Sequence, residues 1–216
     1  MKLNSIIIAD DSDSCDISDL CVKLKDSTLQ LIEEYMSSLQ PSIELQNKVY
    51  MSDAITKQSV GEIMASINDQ SFMCFLYGHG TNESFNIGDE SVITTTDNYY
   101  VFSNALIYTF SCLNGNDLAD ALINNKAKAF VGYTGKAHCP YGIDGITTRI
   151  AMSFISSFLC GKTVSMAVTD LKQAYSNAIY DESLEPFHRS CFQENRDTLV
   201  IKGDKSLQIN HLILND

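Results

Sequence analysis

The sequence contains no tryptophan, only three prolines and few basic residues. The scarcity of proline, together with 11 glycines in 216 residues, excludes collagen-like, proline-rich and long-linker architectures. Lysine and arginine number 15 against 27 aspartates and glutamates, so the formal net charge is -12. A chain of that charge repels nucleic-acid phosphates and anionic lipids, which excludes non-specific binding to either, whereas it attracts cationic peptides.

Paired cysteine motifs and long apolar runs are also missing. The seven cysteines form no C-x-x-C pair, and their odd number would leave one unpaired in an oxidising compartment. We therefore expect free thiols in a reducing cytoplasm. The apolar run at residues 6–9 is too short for a signal peptide, and no run reaches the roughly 18 residues that a membrane span needs. A soluble protein with no membrane partner is expected.

The sequence alternates between short apolar runs and amphipathic segments, which is typical of an α/β protein. Predicted strands cover residues 6–9, 43–50, 72–77, 105–110, 127–133, 198–201 and 207–209, with a small hairpin within 85–102. Predicted helices cover residues 16–39, 60–67, 117–124, 146–159 and 164–179. This order predicts one α/β domain over residues 1–216, with a mostly parallel central sheet and helices on both faces.

Two predicted central strands end in reactive side chains. The strand at 72–77 is followed by Gly78-His79-Gly80, and the strand at 105–110 is followed by Ser111-Cys112. Ligands bind beyond the carboxyl ends of strands in open α/β sheets, and neighbouring strands lie about 4.8 Å apart. If these strands pair, the His79 imidazole lies close enough to act as general base and acid for a Cys112 thiolate nucleophile.

The glycines beside His79 have a predicted role of their own. Gly78 and Gly80 permit a turn that other residues resist and let a substrate backbone approach. The backbone N–H groups of Gly80 and Cys112 would then face a developing oxyanion, where each donor is worth about 3–4 kcal/mol. The competing interpretation is that Cys112 is a core cysteine, since free cysteines are often buried.

An apolar strand ending in His-Gly, followed by one ending in Ser-Cys, resembles the caspase-like cysteine peptidases. Cys112 follows His79 by 33 residues, which is shorter than the caspase interval of about 50, and the caspase Gln-Ala-Cys signature is absent. That interval, the strand at 129–132 and the closing segment 199–204 are more similar to the gingipain, CHAT and metacaspase-like branch. The resemblance implies a caspase-like three-layer sandwich, with His79 as general acid and base, Cys112 as nucleophile and Gly80 as oxyanion donor.

The resemblance also implies an activity: a cysteine endopeptidase that acts on a protein or peptide through an acyl-enzyme, without a metal or organic cofactor. A regulatory protein partner, a proenzyme state or calcium would control it. Bacterial members are often encoded beside defence effectors that they cleave, which suggests antiviral defence and a gasdermin-like pore former as substrate. Members that lose the dyad act as scaffolds, so a catalytically silent interaction module is the alternative.

The loop after the first predicted strand is acidic, and in this superfamily it lines the pocket for the residue before the scissile bond. Asp10, Asp11 and Asp16 are therefore predicted to bind substrate and to favour arginine or lysine there. Alternatively, these carboxylates cap the helix that follows. Lys136, where the family builds another pocket wall, keeps an acidic preference open.

A zinc site is the remaining candidate for the histidines and cysteines outside the dyad. The two pairs His138-Cys139 and His188 with Cys191 lie in predicted loops, and their spacing fits no common zinc module. No metal site is therefore expected.

Overall fold

This computed structural model describes residues 2–39, 44–65, 67 and 70–213, which contain nine strands and six α-helices. The strands are β1 (Lys2–Ala9), β2 (Glu44–Met51), β3 (Phe72–Tyr77), β4 (His79–Gly80), β5 (Ser84–Ile87), β6 (Glu90–Thr94), β7 (Ala105–Phe110), β8 (Ala129–Tyr133) and β9 (Leu199–Gly203). The helices are α1 (Ser18–Ser38), α2 (Lys57–Ala65), α3 (Asp117–Asn124), α4 (Asp144–Leu159), α5 (Val164–Ile179) and α6 (Pro186–Thr198).

Six strands form the central sheet in the order β2-β1-β3-β7-β8-β9. Every pair in it is parallel except β8 with β9, which is antiparallel. The short strands β4, β5 and β6 form a separate antiparallel sheet. The predicted α/β class with a mostly parallel sheet is confirmed.

Helices cover both faces of the central sheet, so its middle strands are fully buried. Successive side chains of β3 alternate between two cores: Met73, Phe75 and Tyr77 belong to one, and the residues between them to the other. The first core packs against α1, α4, α5 and α6, and the second against α2, α3 and the hairpin of β5 and β6. Burial on both faces explains why β3 and β7 are continuous apolar runs. The architecture is a three-layer α/β sandwich.

Strand β1 begins earlier than the predicted residue 6 because its polar residues find partners on neighbouring segments. Asn4 and Ser5 are buried, and the Asn4 amide donates to Gln70 Oε1 at 2.8 Å. The Ser5 hydroxyl donates to Asn47 Oδ1 on β2. Buried polar groups that are paired in this way cost little, so the strand extends past its apolar run.

Several predicted boundaries differ from the structure. Residues 207–209 are not a strand: residues 207 and 208 have no regular secondary structure, and a 3-10 turn begins at Ile209 and ends at His211. Tyr99–Phe102, placed in the predicted hairpin, forms a 3-10 turn instead. Helix α6 was not predicted at all. Residue 43, the first of the predicted strand at 43–50, and residue 66, within the predicted helix at 60–67, lie outside the described residues.

Candidate active site

The register of β3 and β7 brings the two reactive segments to one edge of the sheet. Tyr77 pairs with Phe110 at the carboxyl ends of these parallel strands. His79 and Cys112 each follow two residues later, and the intervening Gly78 N–H donates to the Phe110 carbonyl at 3.5 Å. Both side chains are partly exposed. The predicted juxtaposition of a histidine loop and a cysteine loop is therefore present in the fold.

Gly80 lies directly against the backbone of the cysteine loop. A Cβ placed at Gly80 would come within 2.5 Å of the Cys112 carbonyl oxygen and 2.6 Å of Asn114 Nδ2. Real Cβ contacts are not that short, so this position accepts only glycine without movement of the backbone beside it. The two loops approach each other closely because residue 80 has no side chain.

Asn114 ties the cysteine loop to the histidine loop and was not singled out from the sequence. Its side chain is fully buried, and its Nδ2 donates to the carbonyls of Thr81 at 2.8 Å and Ser84 at 2.6 Å. Its Oδ1 accepts from the hydroxyl of Ser111, the residue before the cysteine. One amide therefore fixes the segments that follow both β3 and β7.

Asn116 makes a second set of bonds on the other side of the cysteine loop. Its Nδ2 lies 2.9 Å from the Leu113 carbonyl, 3.0 Å from the Thr134 carbonyl and 3.0 Å from Asn82 Oδ1. Leu113 itself has a left-handed φ of 63°, held by an N–H bond to the Gly135 carbonyl at 2.8 Å. The sequence signals these two contacts only by the asparagines Asn114 and Asn116, which flank Gly115.

Cys112 differs from most of the other cysteines in its surroundings. Its Sγ accepts a hydrogen bond from the Ala137 N–H at 3.4 Å, and its own N–H has no acceptor in the described part of the chain. All seven cysteines are free thiols, and Cys15, Cys21, Cys74 and Cys191 are buried. Burial raises the pKa of Cys139 to about 12. Cys112 is thus an accessible thiol with a backbone donor directed at its sulfur.

Asp16 contacts the imidazole of His79. Its Oδ1 lies 3.1 Å from His79 Nε2, and the side chains are 84% and 39% exposed respectively. A carboxylate at one ring nitrogen fixes the tautomer and the ring orientation of a histidine. Asp16, one of the three predicted substrate-binding carboxylates, is therefore next to the predicted general base.

Asp10 and Asp11 hold the acidic loop in place. The Asp10 carboxylate is fully buried and accepts from the Ser12 N–H and hydroxyl, the Ser52 hydroxyl and the Gly88 N–H, the last at 2.8 Å. Asp11 accepts from the Ser52 N–H at 2.9 Å. Neither carboxylate caps α1, whose N-cap Ile17 makes no side-chain bond. Asp10 has no surface left for a substrate, which corrects its predicted role in binding one.

The pH dependence of stability should show the role of Asp10. Burial alone would raise the pKa of its carboxyl, but the hydrogen bonds from Ser12, Gly88 and Ser52 outweigh burial and lower the pKa below 3.8. Because the pKa is lower in the folded state, Asp10 stabilises the fold above about pH 4, and this stabilisation is lost as the pH falls further. We expect Asp10→Asn to cost about 1–3 kcal/mol at neutral pH.

Urea unfolding between about pH 3 and about pH 7 measures this effect. The wild type should lose stability relative to Asp10→Asn as the pH falls below about 4, so that the two curves converge. Asp11→Asn, at an exposed neighbouring position, is the control and should follow the wild-type curve. Parallel curves for the wild type and Asp10→Asn would contradict the assignment.

An acidic cleft of about 260 Å³ lies on the Asp16 side of this edge. Its lining consists of three carboxylates, three apolar or thiol side chains and an aromatic ring: Asp16, Asp19, Asp144, Ile17, Leu20, Cys139 and Tyr141. Tyr141 is 96% exposed, so its ring is free to contact a bound group. Lys23 Nζ pairs with Asp144 at 2.8 Å, which leaves a net negative charge in the lining. The exposed Lys136 is not part of that lining.

The remaining histidine and cysteine candidates are not arranged as a metal site. His138 Nε2 lies 2.6 Å from Glu194 Oε2, and His188 and Cys191 are on α6 rather than in a loop. Among the described residues, no group of three or more metal-ligating side chains converges. No helix in this same part of the chain has the length and apolar character needed to cross a membrane.

Comparisons with known proteins find likenesses in structure but none in sequence. No family model matches the sequence, and no curated protein matches it. The structure is similar to that of a secreted C11 cysteine protease from Bacteroides thetaiotaomicron, solved with an irreversible peptide inhibitor, with a TM-score of 0.48 and 12% identity. The match covers 82% of this chain but 59% of that one, so this chain spans less than two thirds of its length. Function is inferred below from the site itself.

Proposed function

We propose that this protein is a caspase-like cysteine endopeptidase, with Cys112 as nucleophile and His79 as general acid and base. The observation that carries the proposal is the paired ends of β3 and β7, which place the His79 loop against the Cys112 loop. The two asparagine braces support it, because they fix the relative position of these loops. Reacting groups held in a fixed geometry are what nucleophilic catalysis requires.

The proposed reaction has two steps. The Cys112 thiolate attacks the peptide carbonyl carbon, the C–N bond breaks, and the His79 imidazolium gives its proton to the leaving amine. Neutral His79 then takes a proton from water, the resulting hydroxide attacks the thioester, and the thiolate leaves as the carboxylic acid is released. The unpartnered Cys112 N–H, together with that of Gly80, would hold the oxyanion in both steps.

Asp16 supports the proton transfers in this proposal. It lies at His79 Nε2, so Nδ1 is the ring nitrogen that exchanges protons with Cys112, the leaving amine and water. A carboxylate also stabilises the imidazolium that forms during the cycle. The exposure of Asp16 keeps the effect modest, since solvent screens an exposed ion pair.

The acidic cleft supports a preference for a basic residue before the scissile bond. Lys23 pairs with Asp144, so Asp16 and Asp19 supply the net negative charge of the cleft. Carboxylates of this kind form charge-assisted hydrogen bonds with a guanidinium or ammonium group. The exposed ring of Tyr141 offers a face for stacking with a cation. The position of Lys136 outside the lining disfavours the acidic alternative.

We extend the proposal to the class of substrate: a protein with a basic residue in an accessible loop. The resemblance seen in the sequence supports a bacterial defence effector, such as a gasdermin-like pore former, as that protein. A regulatory protein partner would then control when the cleavage occurs.

A peptide library varied at the residue before the scissile bond tests the proposed function. We expect cleavage after arginine or lysine to be at least about 100-fold faster than after aspartate. We also expect cleavage to disappear in Cys112→Ala but not in Cys160→Ala, which changes an exposed cysteine on another part of the surface.

Three other results would each have a definite meaning. Cleavage after aspartate would retain the mechanism and overturn the cleft assignment. Cleavage that persists in Cys112→Ala would overturn the nucleophile. An absence of cleavage, combined with Cys112 alkylation no faster than that of Cys160, would favour the silent scaffold.

A further inference from the structure

The segment that follows β8 contacts the sulfur of the proposed nucleophile. The backbone N–H of Ala137 donates to Cys112 Sγ at 3.4 Å, from a stretch of chain at residues 136–140 without regular secondary structure. A thiolate is a stronger hydrogen-bond acceptor than a thiol, so a donor fixed at this sulfur favours the reactive form. What holds this irregular stretch in place therefore matters for reactivity.

A buried side chain on α6 holds the residue next to Ala137 at both of its backbone groups. Asn195 is fully buried; its Oδ1 accepts from the His138 N–H at 2.7 Å, and its Nδ2 donates to the His138 carbonyl at 2.9 Å. These two bonds hold both backbone groups of His138 against the buried face of α6.

We propose that Asn195 is a positioning residue for the nucleophile. By fixing the N–H and the carbonyl of His138, it fixes the adjacent Ala137 peptide so that its N–H points at Cys112 Sγ and stabilises the thiolate. This inference rests on the proposed function, in which Cys112 is the nucleophile. Asn195 touches neither the sulfur nor a substrate and acts through the loop.

The chemistry of the position supports this role. Complete burial of an amide is costly unless its hydrogen bonds are made, and an apolar side chain would satisfy packing at that place on α6. An amide is the side chain that holds a backbone N–H and a backbone carbonyl of one residue at the same time. The neighbouring Glu194 pairs with the His138 ring at 2.6 Å but does not contact the backbone.

The proposal is tested by the rate at which iodoacetamide alkylates Cys112 at different pH values. Mass spectrometry identifies the modified peptide. In Asn195→Asp, which keeps the size and the acceptor but loses the Nδ2 donor, we expect the pH midpoint to rise. The rate at about pH 7 should fall by about fivefold. Asn195→Ala adds no negative charge, so a larger change in the same direction in that variant reports on the lost backbone bonds and not on a new carboxylate. In both variants kcat should fall while KM stays constant.

Two controls separate positioning from a general structural role. Glu194→Gln removes the charge beside the His138 ring and leaves both backbone bonds, so its profile should stay within about twofold of the wild type. The charged and titratable groups on the histidine side of the site are His79 and Asp16. Because the amide donor acts without them, the shift caused by Asn195→Asp should persist in a His79→Ala background.

The proposal is overturned by a folded Asn195→Asp protein whose alkylation profile coincides with the wild type, or by a shift that vanishes when His79 is absent. Thermal denaturation shows whether each variant is folded. If Asn195→Ala is unfolded, Asn195→Leu, which keeps the volume and adds no charge, takes its place. Alkylation needs no peptide substrate, so it reports on positioning even if the protein cleaves no peptide. Failure of the peptidase proposal and failure of this one are therefore distinguishable.

Discussion

Peptide cleavage should fall by about 10²–10⁴-fold when His79 is replaced by alanine, with little change in stability. The imidazole both accepts and donates a proton in each catalytic cycle, and water replaces it poorly in those roles. The His79 side chain is partly exposed and pairs with the exposed carboxylate of Asp16, so replacing His79 should leave the core intact. Measurement of kcat/KM against pH, together with urea unfolding, checks both statements.

The matched control for this experiment is His188→Ala. His188 lies on α6, is also partly exposed, and is not part of the sheet edge that carries the proposed dyad. That variant should keep kcat/KM within about twofold of the wild type. If His79→Ala retains wild-type activity while Cys112→Ala is inactive, the general acid and base is a different residue.

Gly80→Ala should reduce activity by about 100-fold or more, because the added methyl group separates the two loops that carry the dyad. The new Cβ would lie 2.5 Å from the Cys112 carbonyl oxygen, and backbone atoms must move to admit it. A displacement of about 1 Å between catalytic groups costs about 100-fold in rate. The strain should also cost about 1–3 kcal/mol of stability.

Gly145→Ala provides the corresponding control for the effect of a methyl group on the backbone alone. Gly145 lies in the first turn of α4, and a Cβ there would meet nothing within 4 Å. We expect unchanged activity and a stability equal to or slightly above the wild type, since alanine favours helix. Activity in Gly80→Ala equal to that in Gly145→Ala would show that the close contact of the loops is not needed.

The parts of the fold that were predicted best are those whose burial imposes a continuous pattern. Strands β3 and β7 match the predicted residues 72–77 and 105–110, because both of their faces are covered and every position is apolar. The residues that follow these strands, Gly78-His79-Gly80 and Ser111-Cys112, identified the candidate dyad. The adjacency of the strands was an assumption at that point, and their register confirms it.

Helix α6 escaped prediction because most of its residues are polar. Cys191, Phe192 and Asn195 are its buried residues, and two apolar positions are too few to mark an inner face in the sequence. An inward-facing asparagine is read from the sequence as a surface or turn residue. Its partners lie 57 positions away in the chain, and only the folded arrangement shows them.

For the acidic loop, the sequence also does not show which of its charged residues are buried. Asp10, Asp11 and Asp16 are alike in sequence, and the prediction treated them as one group. The structure separates them: Asp10 is fully buried, whereas Asp16 is exposed beside His79. Which carboxylate faces the site depends on the donors to Asp10. These are Ser52, in a 3-10 turn at Ser52–Ala54, and Gly88, between β5 and β6, and they lie 42 and 78 residues away in the chain.

The antiparallel pairing of β8 with β9 has a consequence for biosynthesis. Val131 pairs with Ile201, 70 residues further along the chain, and α6, which lies immediately before β9, holds the stretch beside Cys112. These two elements leave the ribosome after the strands that carry His79 and Cys112, and synthesis of the intervening residues takes several seconds. A nascent chain therefore carries both reactive side chains before their surroundings are complete. In the proposed peptidase, activity would begin only when the domain has closed, and the growing chain would be protected from its own Cys112.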